Sequence, residues 1–331
     1  MSTRRRLKYL VTGGCGFIGS HLVDSLIADG RAVRVLDNLS TGKRERIPST
    51  VELVVGDVAD EPVVRRCMES VDGCFHLAAI ASVQRSIEDW VGTHRTNLTG
   101  TITVLDAARA RNGSPARPVV FASSAAVYGA SNELPLAETS TTRPVSAYGA
   151  DKLGSELHAE VAASVFNVPA TGLRFFNVYG PRQDPESPYS GVVSIFSNRL
   201  RAGLPITIFG DGGQTRDFIF VDDVVRFLRG AMETSVPTLR IFNVCTGRAT
   251  SLLDLVATLA EIVARTPRIL HEKPRSADIR HSLGDPAVAR LSLGVAVQTT
   301  LRDGLRATLG LSGEPRQGLS ESQLGARRSP A

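Results

Sequence analysis

Thr12-Gly13-Gly14-Cys15-Gly16-Phe17-Ile18-Gly19 lies between an apolar run, residues 7–12, and a stretch of helical spacing, residues 17–28. A glycine pattern alone is weak. A strand, a glycine turn and a helix in that order give it meaning. The glycines permit a tight turn and let backbone approach a pyrophosphate, and the helix N-terminus offers unpaired amides and a partial positive charge. Both Gly13-x-x-Gly16-x-x-Gly19 and Gly14-x-Gly16-x-x-Gly19 are present. Asp37 ends the next apolar run, eighteen residues past Gly19. A carboxylate there accepts bonds from an adenosine ribose and repels a 2′-phosphate, which favours NAD over NADP, although Lys43 and Arg44 are close by in sequence. Asp57, at the end of a third run, either meets the adenine edge or caps the strand end.

Outward from this turn, residues 7–12, 32–36, 51–55, 74–77 and 119–123 read as strands, and 17–28, 62–69 and 87–111 as the helices between them. This alternation predicts a Rossmann-type α/β fold, a doubly wound parallel sheet covered on both faces. The run Val51-Glu52-Leu53-Val54-Val55 is expected to be buried on both sides. A helix over 146–166 and a strand over 170–174 follow. Past Asn177, Gly180-Pro181, Asp184-Pro185 and Ser187-Pro188 mark loops, with helices near 191–201, 223–233 and 251–264. The expected division is an NAD-binding domain over 1–176, with 222–247 returning to it, and a smaller substrate-binding lobe from 177–221 and 248–311. Residues 312–331 are polar and rich in Gly, Ser, Pro and Arg, the composition of a disordered tail.

Composition removes several function classes. The 331 residues are 42% hydrophobic and 21% charged, ordinary for a globular enzyme. The net charge of +5 comes from dispersed arginines, and only Arg4-Arg5-Arg6 form a run, at a terminus. A nucleic-acid partner is therefore not expected. No apolar run reaches membrane-spanning length, and no apolar segment of a secretory signal precedes the first strand. Cys15, Cys67, Cys74 and Cys245 have neither metal-ligand spacing nor a disulfide-dense pattern, which fits buried thiols in a reducing cytoplasm.

The chemistry is concentrated in Tyr148-Gly149-Ala150-Asp151-Lys152, with Ser124 upstream. Positions four apart share a helix face. A free phenol, with a pKa of about 10, is a poor base at neutral pH, and a fixed cation beside it is expected to lower that value. Such a pair can take a proton from a substrate hydroxyl, as hydride transfer to a nicotinamide requires. The chain has four lysines, Lys8, Lys43, Lys152 and Lys273. Arginine, its dominant base, is larger and stays protonated, so it is no substitute at such a site. Alone, the pair is equally compatible with a surface tyrosine and a solvated lysine.

Together these residues resemble the extended short-chain dehydrogenase/reductase family, its NAD-dependent epimerases and dehydratases. Within it they look most like the UDP-glucose 4-epimerases, including those that take N-acetylated sugars. The resemblance runs colinearly from residue 7 to 309. It includes Asp37-Asn38-Leu39-Ser40-Thr41-Gly42, Gly56-Asp57-Val58, His76-Leu77-Ala78-Ala79, Asn97 and Ser123-Ser124-Ala125-Ala126-Val127-Tyr128-Gly129. It continues through Arg174-Phe175-Phe176-Asn177-Val178-Tyr179-Gly180-Pro181, Gly210-Asp211-Gly212-Gly213-Gln214-Thr215-Arg216-Asp217-Phe218 and Arg275-Ser276-Ala277-Asp278-Ile279-Arg280. The resemblance implies that Tyr148 accepts and returns the proton, that Lys152 is its cationic partner and a ribose ligand, and that Ser124 bonds the reacting sugar oxygen. It assigns NAD to Gly13, Gly16, Phe17, Ile18, Gly19, Asp37, Asn38, Ser40, Thr41, Gly42, Asp57, Val58, Leu77, Ala78, Ala79, Asn97 and Phe176, with Tyr148 and Lys152. It assigns a UDP-sugar to Asn177, Phe209, Arg216, Arg275, Asp278 and Ser282, with Phe209 packing the uracil.

Family dehydratases place an Asp-Glu pair just after the position of Ser124, and decarboxylases a glutamate. Here Ala125 and Ala126 stand there and cannot move protons. What remains is oxidation of a sugar hydroxyl and return of the hydride, which is 4-epimerisation if the keto sugar turns over between the steps. Arg275-Ser276-Ala277-Asp278 replaces the family's usual Arg-Pro-Gly-Asp, and Ser282 falls where epimerases restricted to plain hexoses carry a tyrosine, leaving room for an N-acetyl group. A homodimer is implied, formed through helices equivalent to 87–111 and 146–166. The alternatives are a reductase or 4,6-dehydratase acting on a dTDP- or GDP-sugar, and an NAD-sensing regulator without the catalytic set.

Overall fold

The computed structural model describes residues 6–111, 113–184, 191–274 and 279–311. Its centre is a seven-stranded sheet of β1 (Lys8–Thr12), β2 (Ala32–Asp37), β3 (Glu52–Val55), β4 (Gly73–His76), β5 (Val119–Ser124), β6 (Ala170–Phe175) and, after an excursion through β7 (Asn177–Tyr179), β8 (Ile206–Phe209) and β9 (Thr215–Phe220), β10 (Leu239–Val244). The spatial order is β10-β6-β5-β4-β1-β2-β3, parallel throughout. The winding reverses between β1 and β4. In an open parallel sheet that reversal leaves a crevice at the strands' carboxyl ends, where ligands bind.

Side-chain alternation along the strands feeds two cores. Tyr9 and Val11 of β1 face one side with Leu22, Val23 and Leu26 of α1 (Phe17–Ala28). Leu10 faces the other with Val64 and Met68 of α2 (Glu61–Met68). Across the first of these cores lies α8 (Val221–Glu233), which follows α3 (Val83–Glu88), α4 (Trp90–His94), α5 (Gly100–Ala107), α6 (Ala147–Phe166) and α7 (Val192–Ala202) in the chain. The Ser146 hydroxyl starts α6 by accepting from Gly149 N, and Asn167 in left-handed conformation ends it. A smaller unit combines β7, β9 and β11 (Ala249–Ser251) with the parallel pair β8–β12, β12 being Ile269–Glu272. Its core draws Phe196 and Leu200 from α7, Leu255 and Leu259 from α9 (Leu252–Val263) and Leu305 from α11 (Leu301–Thr308). The short α10 (Ala287–Leu293) packs Leu293 into the first core of the sheet.

Two expectations fail here. Residues 87–111 are not one helix. Asp89, in non-helical backbone, ends α3 and caps α4 by accepting from Gly92 N at 3.1 Å, and a π-helical turn, Arg95–Thr99, separates α4 from α5. The strand expected over 51–55 is not buried on both faces. It is the sheet's edge, and Val55 is 62% exposed.

A buried ion pair ties α6 to the sheet. Glu156 takes Arg174 in a two-bond fork, Nε to Oε1 at 2.9 Å and Nη2 to Oε2 at 2.6 Å. Ser123 donates its hydroxyl to the same carboxylate, and Arg174 Nη1 reaches Tyr128 OH at 2.8 Å. Ser123, Arg174 and Asn243 are level neighbours on β5, β6 and β10. Removing one member of a buried pair strands the other charge, at a cost of about 3–5 kcal/mol. Glu156→Ala is therefore expected to lower stability by about that much in urea denaturation, and Glu156→Gln by less. An unchanged midpoint for Glu156→Ala would refute this role.

Candidate active site

The glycine turn is built for close approach. Gly13 has φ +69°, and a Cβ there would lie 2.7 Å from Ala78 N. At Gly19 a Cβ would lie 2.1 Å from Gly13 O. Gly16, the N-cap of α1, provides no side-chain cap, so the first-turn amides are left to the cavity that Gly13, Gly16, Phe17, Ile18 and Gly19 line. Asp37 is buried and acts on both sides of this turn. Its Oδ2 accepts from Cys15 N at 2.9 Å and its Oδ1 from Leu39 N at 2.8 Å. The same carboxylate lines the cavity beside Asn38, Ser40, Thr41 and Gly42. Val58 and Leu77-Ala78-Ala79 form another wall, and Ser124, Tyr148, Lys152, Phe176 and Asn177 close the inner end. The volume is about 630 Å³. An amide-lined turn, a ribose-height carboxylate and glycines where a Cβ would clash fit a dinucleotide.

A second cavity of about 780 Å³ shares Ser124, Tyr148, Phe175, Phe176 and Asn177 with the first. Its far wall holds Arg216 and Ser282, and its near wall Ala125 and Ala126. Among the described lining residues there is no carboxylate. Arg216 and Ser282 are brought together by backbone: Thr215 N donates to Arg280 O at 3.0 Å and Ser282 N to Thr215 O at 3.1 Å. The next residue, Asp217, is fully buried and accepts from Thr246 N at 2.8 Å and Gly247 N at 2.9 Å, fastening β9 to the turn that follows β10.

Where the two cavities meet, burial raises the pKa of the Tyr148 phenol, and the neighbouring Ser124 hydroxyl opposes that rise without cancelling it. The expected depression by a neighbouring ammonium is not what these side chains produce. Lys152 donates to Ala122 O at 2.8 Å, and its Nζ stands 5.9 Å from the phenol ring centroid. Burial pulls Lys152 down to about 8, against the charge of Asp151. Ser124 also accepts from Ala126 N at 3.1 Å, which fixes the turn past β5.

Beneath them His76 is buried, its Nδ1 2.8 Å from Thr12 Oγ1 and its Nε2 3.0 Å from Thr101 Oγ1. Thr101 donates to Asn97 O at 2.6 Å, so it accepts from Nε2–H. Thr12 donates to Nδ1 while accepting from Ala78 N. Burial, and then the charge of Lys152, drive His76 down to about 3, so it stays neutral.

Some candidates lie elsewhere. Asp57 accepts from Ala59 N at 2.9 Å, the strand-capping role, while Gly56 and Val58 on either side of it reach the cavity. Asn97 is buried behind the wall and clamps Ile80, accepting from its N at 2.8 Å and donating to its O at 3.2 Å. Phe209 lines neither cavity; its O accepts from Gln214 Nε2. Arg275 and Asp278 lie outside the described residues. Sequence reading missed Gln84 and His281 in the second cavity and Gln183 in the first. Nothing in their local sequence marks them, since tertiary folding alone brings them there.

Comparison with known proteins agrees with this geometry. Residues 9–245 match the model of the NAD dependent epimerase/dehydratase family. The chain is 38% identical over 311 residues to a UDP-glucose 4-epimerase of Mycolicibacterium smegmatis, covering 92% of this chain and 97% of that one. It superimposes on the UDP-glucose 4-epimerase of Thermotoga maritima with UDP-glucose at a TM-score of 0.87, with 37% identity and 92% and 98% coverage. The UDP-N-acetylglucosamine 4-epimerase of Methanobrevibacter ruminantium, in complex with UDP-N-acetylmuramic acid, gives 0.87 at 31% identity, covering 93% and 98%. With the glycine turn, the paired cavities and the tyrosine–lysine helix in place, the chain belongs to the NAD-dependent epimerase/dehydratase family.

Proposed function

We propose that the protein is an NAD-dependent UDP-hexose 4-epimerase. One observation carries this reading: two cavities meet at Ser124 and Tyr148, and the described lining of the outer one has no carboxylate. Its volume is within the range of about 300–1,000 Å³ typical of small-molecule sites. The glycine turn and Asp37 would hold NAD, which would supply the hydride acceptor and, once reduced, the donor. Tyr148 takes the proton from the sugar 4-hydroxyl and returns it. Ser124 holds that oxygen in line, and Lys152 presents positive charge to the phenolate as it forms. Ala125 and Ala126 leave no acid beside the sugar for elimination, so the keto sugar has only reduction open to it. If the keto sugar turns over before it is reduced, it would present its other face to the hydride and C4 would be inverted.

Arg216, on the wall of the outer cavity, would meet the diphosphate, with Arg275 and Asp278 assigned beside it by resemblance. Ser282, small and on that wall, supports acceptance of UDP-GlcNAc and UDP-GalNAc as well as UDP-Glc and UDP-Gal. Residues 1–176 with 222–247 form the cofactor domain in this reading, and 177–221 with 248–311 the substrate lobe. A homodimer is supported by an exposed apolar face: Trp90 and Val91 on α4 are 66% and 81% exposed, and Leu157 and Val165 on α6 63% and 61%. No helix of the described residues is long and apolar enough to cross a membrane. The four buried free cysteines support a cytoplasmic site.

Incubation with UDP-Glc and, separately, UDP-GlcNAc is expected to yield the C4 epimers by NMR with no net change in NADH absorbance. A stable keto product would point to a dehydratase instead. Tyr148→Phe is expected to keep NAD binding by calorimetry and to lose about 10²- to 10⁴-fold in kcat; near-normal turnover would exclude the assigned role. Because Lys152 loses its proton as pH rises through about 8, turnover is expected to fall above that pH. The residual activity of Lys152→Met should lack this alkaline limb and have a higher optimum, with weaker NAD binding. An unchanged pH profile would argue against the coupled pair.

A further inference from the structure

Asp151 lies between Tyr148 and Lys152 in sequence, yet it is turned away from both cavities and is 4% exposed. Its Oδ1 is 2.8 Å from His94 Nδ1 on α4, and its Oδ2 has no hydrogen-bond partner among the described residues. A buried carboxylate with one oxygen unsatisfied is costly and calls for an explanation. Neighbouring helix residues do not face each other, and Lys152 spends its described bond on Ala122 O. The two charges nevertheless sit on one turn of helix inside protein, where Coulomb interactions are far stronger than in water.

We propose that Asp151, fixed by His94, is a positioning residue that keeps Lys152 in its ammonium form at the reaction centre. Burial works against that ammonium, and Asp151 is the neighbouring charge that works for it. The other titratable and charged groups on the elements packed around α6 are neutral, engaged elsewhere or in solvent. From β4, His76 is neutral between its two threonines. From α6 and β6, Glu156 is matched by Arg174. From α3, Arg85 is 3.6 Å from Asp89, and from the π turn Arg95 is 3.9 Å from Asp57. From α5, Asp106 is held by Arg65, Arg109 and Arg111. From β10, Arg240 donates to Thr234 O. On α6 itself Tyr148 is a phenol, and His158 and Glu160 are exposed to solvent.

The chain's four lysines make the test direct. In full-length protein labelled with ¹³C-lysine, the Lys152 signal is the one that disappears in Lys152→Met, and its titration is expected near pH 8. Asp151→Asn removes the charge and keeps the shape. It is expected to lower the Lys152 midpoint by about half a unit to one unit. The alkaline limb of turnover should move down with it, while kcat at pH 6.5 stays within about twofold. If that variant does not fold, His94→Ala tests the same link from the solvent side. It takes away the hydrogen bond that fixes the Asp151 carboxylate, and the Lys152 midpoint is expected to fall likewise. A Lys152 midpoint that either folded variant leaves unmoved overturns the proposal. The inference rests on the role given to Lys152 above, but the titration is read without turnover. Its failure is thus separate from a failure of the epimerase reading, which the sugar assay decides.

Discussion

The site depends on how one helix is held against the sheet. Tyr148, Lys152 and Glu156 follow each other at four-residue spacing on α6. The first two face the cavity. The third is locked by Arg174 and Ser123 to the carboxyl ends of β5 and β6. Since Ser123 precedes Ser124, the bond that anchors the helix also sets the height of the residue that must meet Tyr148. A lone buried carboxylate would be a liability. Here the guanidinium fork and a hydroxyl satisfy it, and such fully paired networks rigidify. Geometry at the reacting atoms is thus inherited from a charge pair that never touches a ligand.

Burial sets the electrostatics of the centre more than charge neighbours do. It keeps His76 neutral, raises Tyr148 and lowers Lys152. Two buried groups are moved away from charge, and the third is left near its switching point. That leaves the centre responsive to any charge brought near it, whether from substrate, cofactor or the second ring of side chains. A solvated tyrosine and lysine at the same spacing would have no such sensitivity.

Features fixed by local physics were legible in the sequence. The glycine turn could be read because only glycine tolerates those approaches, and α1 was placed to its end residues because strand, turn and helix signals coincide. The tyrosine–lysine pair followed from helix periodicity. Features fixed by long-range placement were not legible. Val55 lies at an edge that its apolar run does not announce, and Asp89 breaks a helix whose periodicity runs straight through it. Asn97 has the right chemistry for a ligand but spends both ends of its amide on the backbone of Ile80. The His94–Asp151 bond joins residues 57 apart in sequence with no motif to announce it.

The order of strands also bears on how the chain is made. β10 completes the sheet against β6, yet it is synthesised only after β7, β8 and β9 of the smaller unit. Until residue 244 has left the ribosome, β6, buried along its whole length in the folded protein, is an edge whose backbone N–H and C=O groups on the β10 side are unpaired. Such an edge is a template for intermolecular pairing. The central sheet therefore cannot mature as an independent N-terminal domain. The chain must hold that edge soluble while the smaller unit emerges, and a message truncated before β10 would yield a protein with every catalytic side chain and an open, aggregation-prone flank.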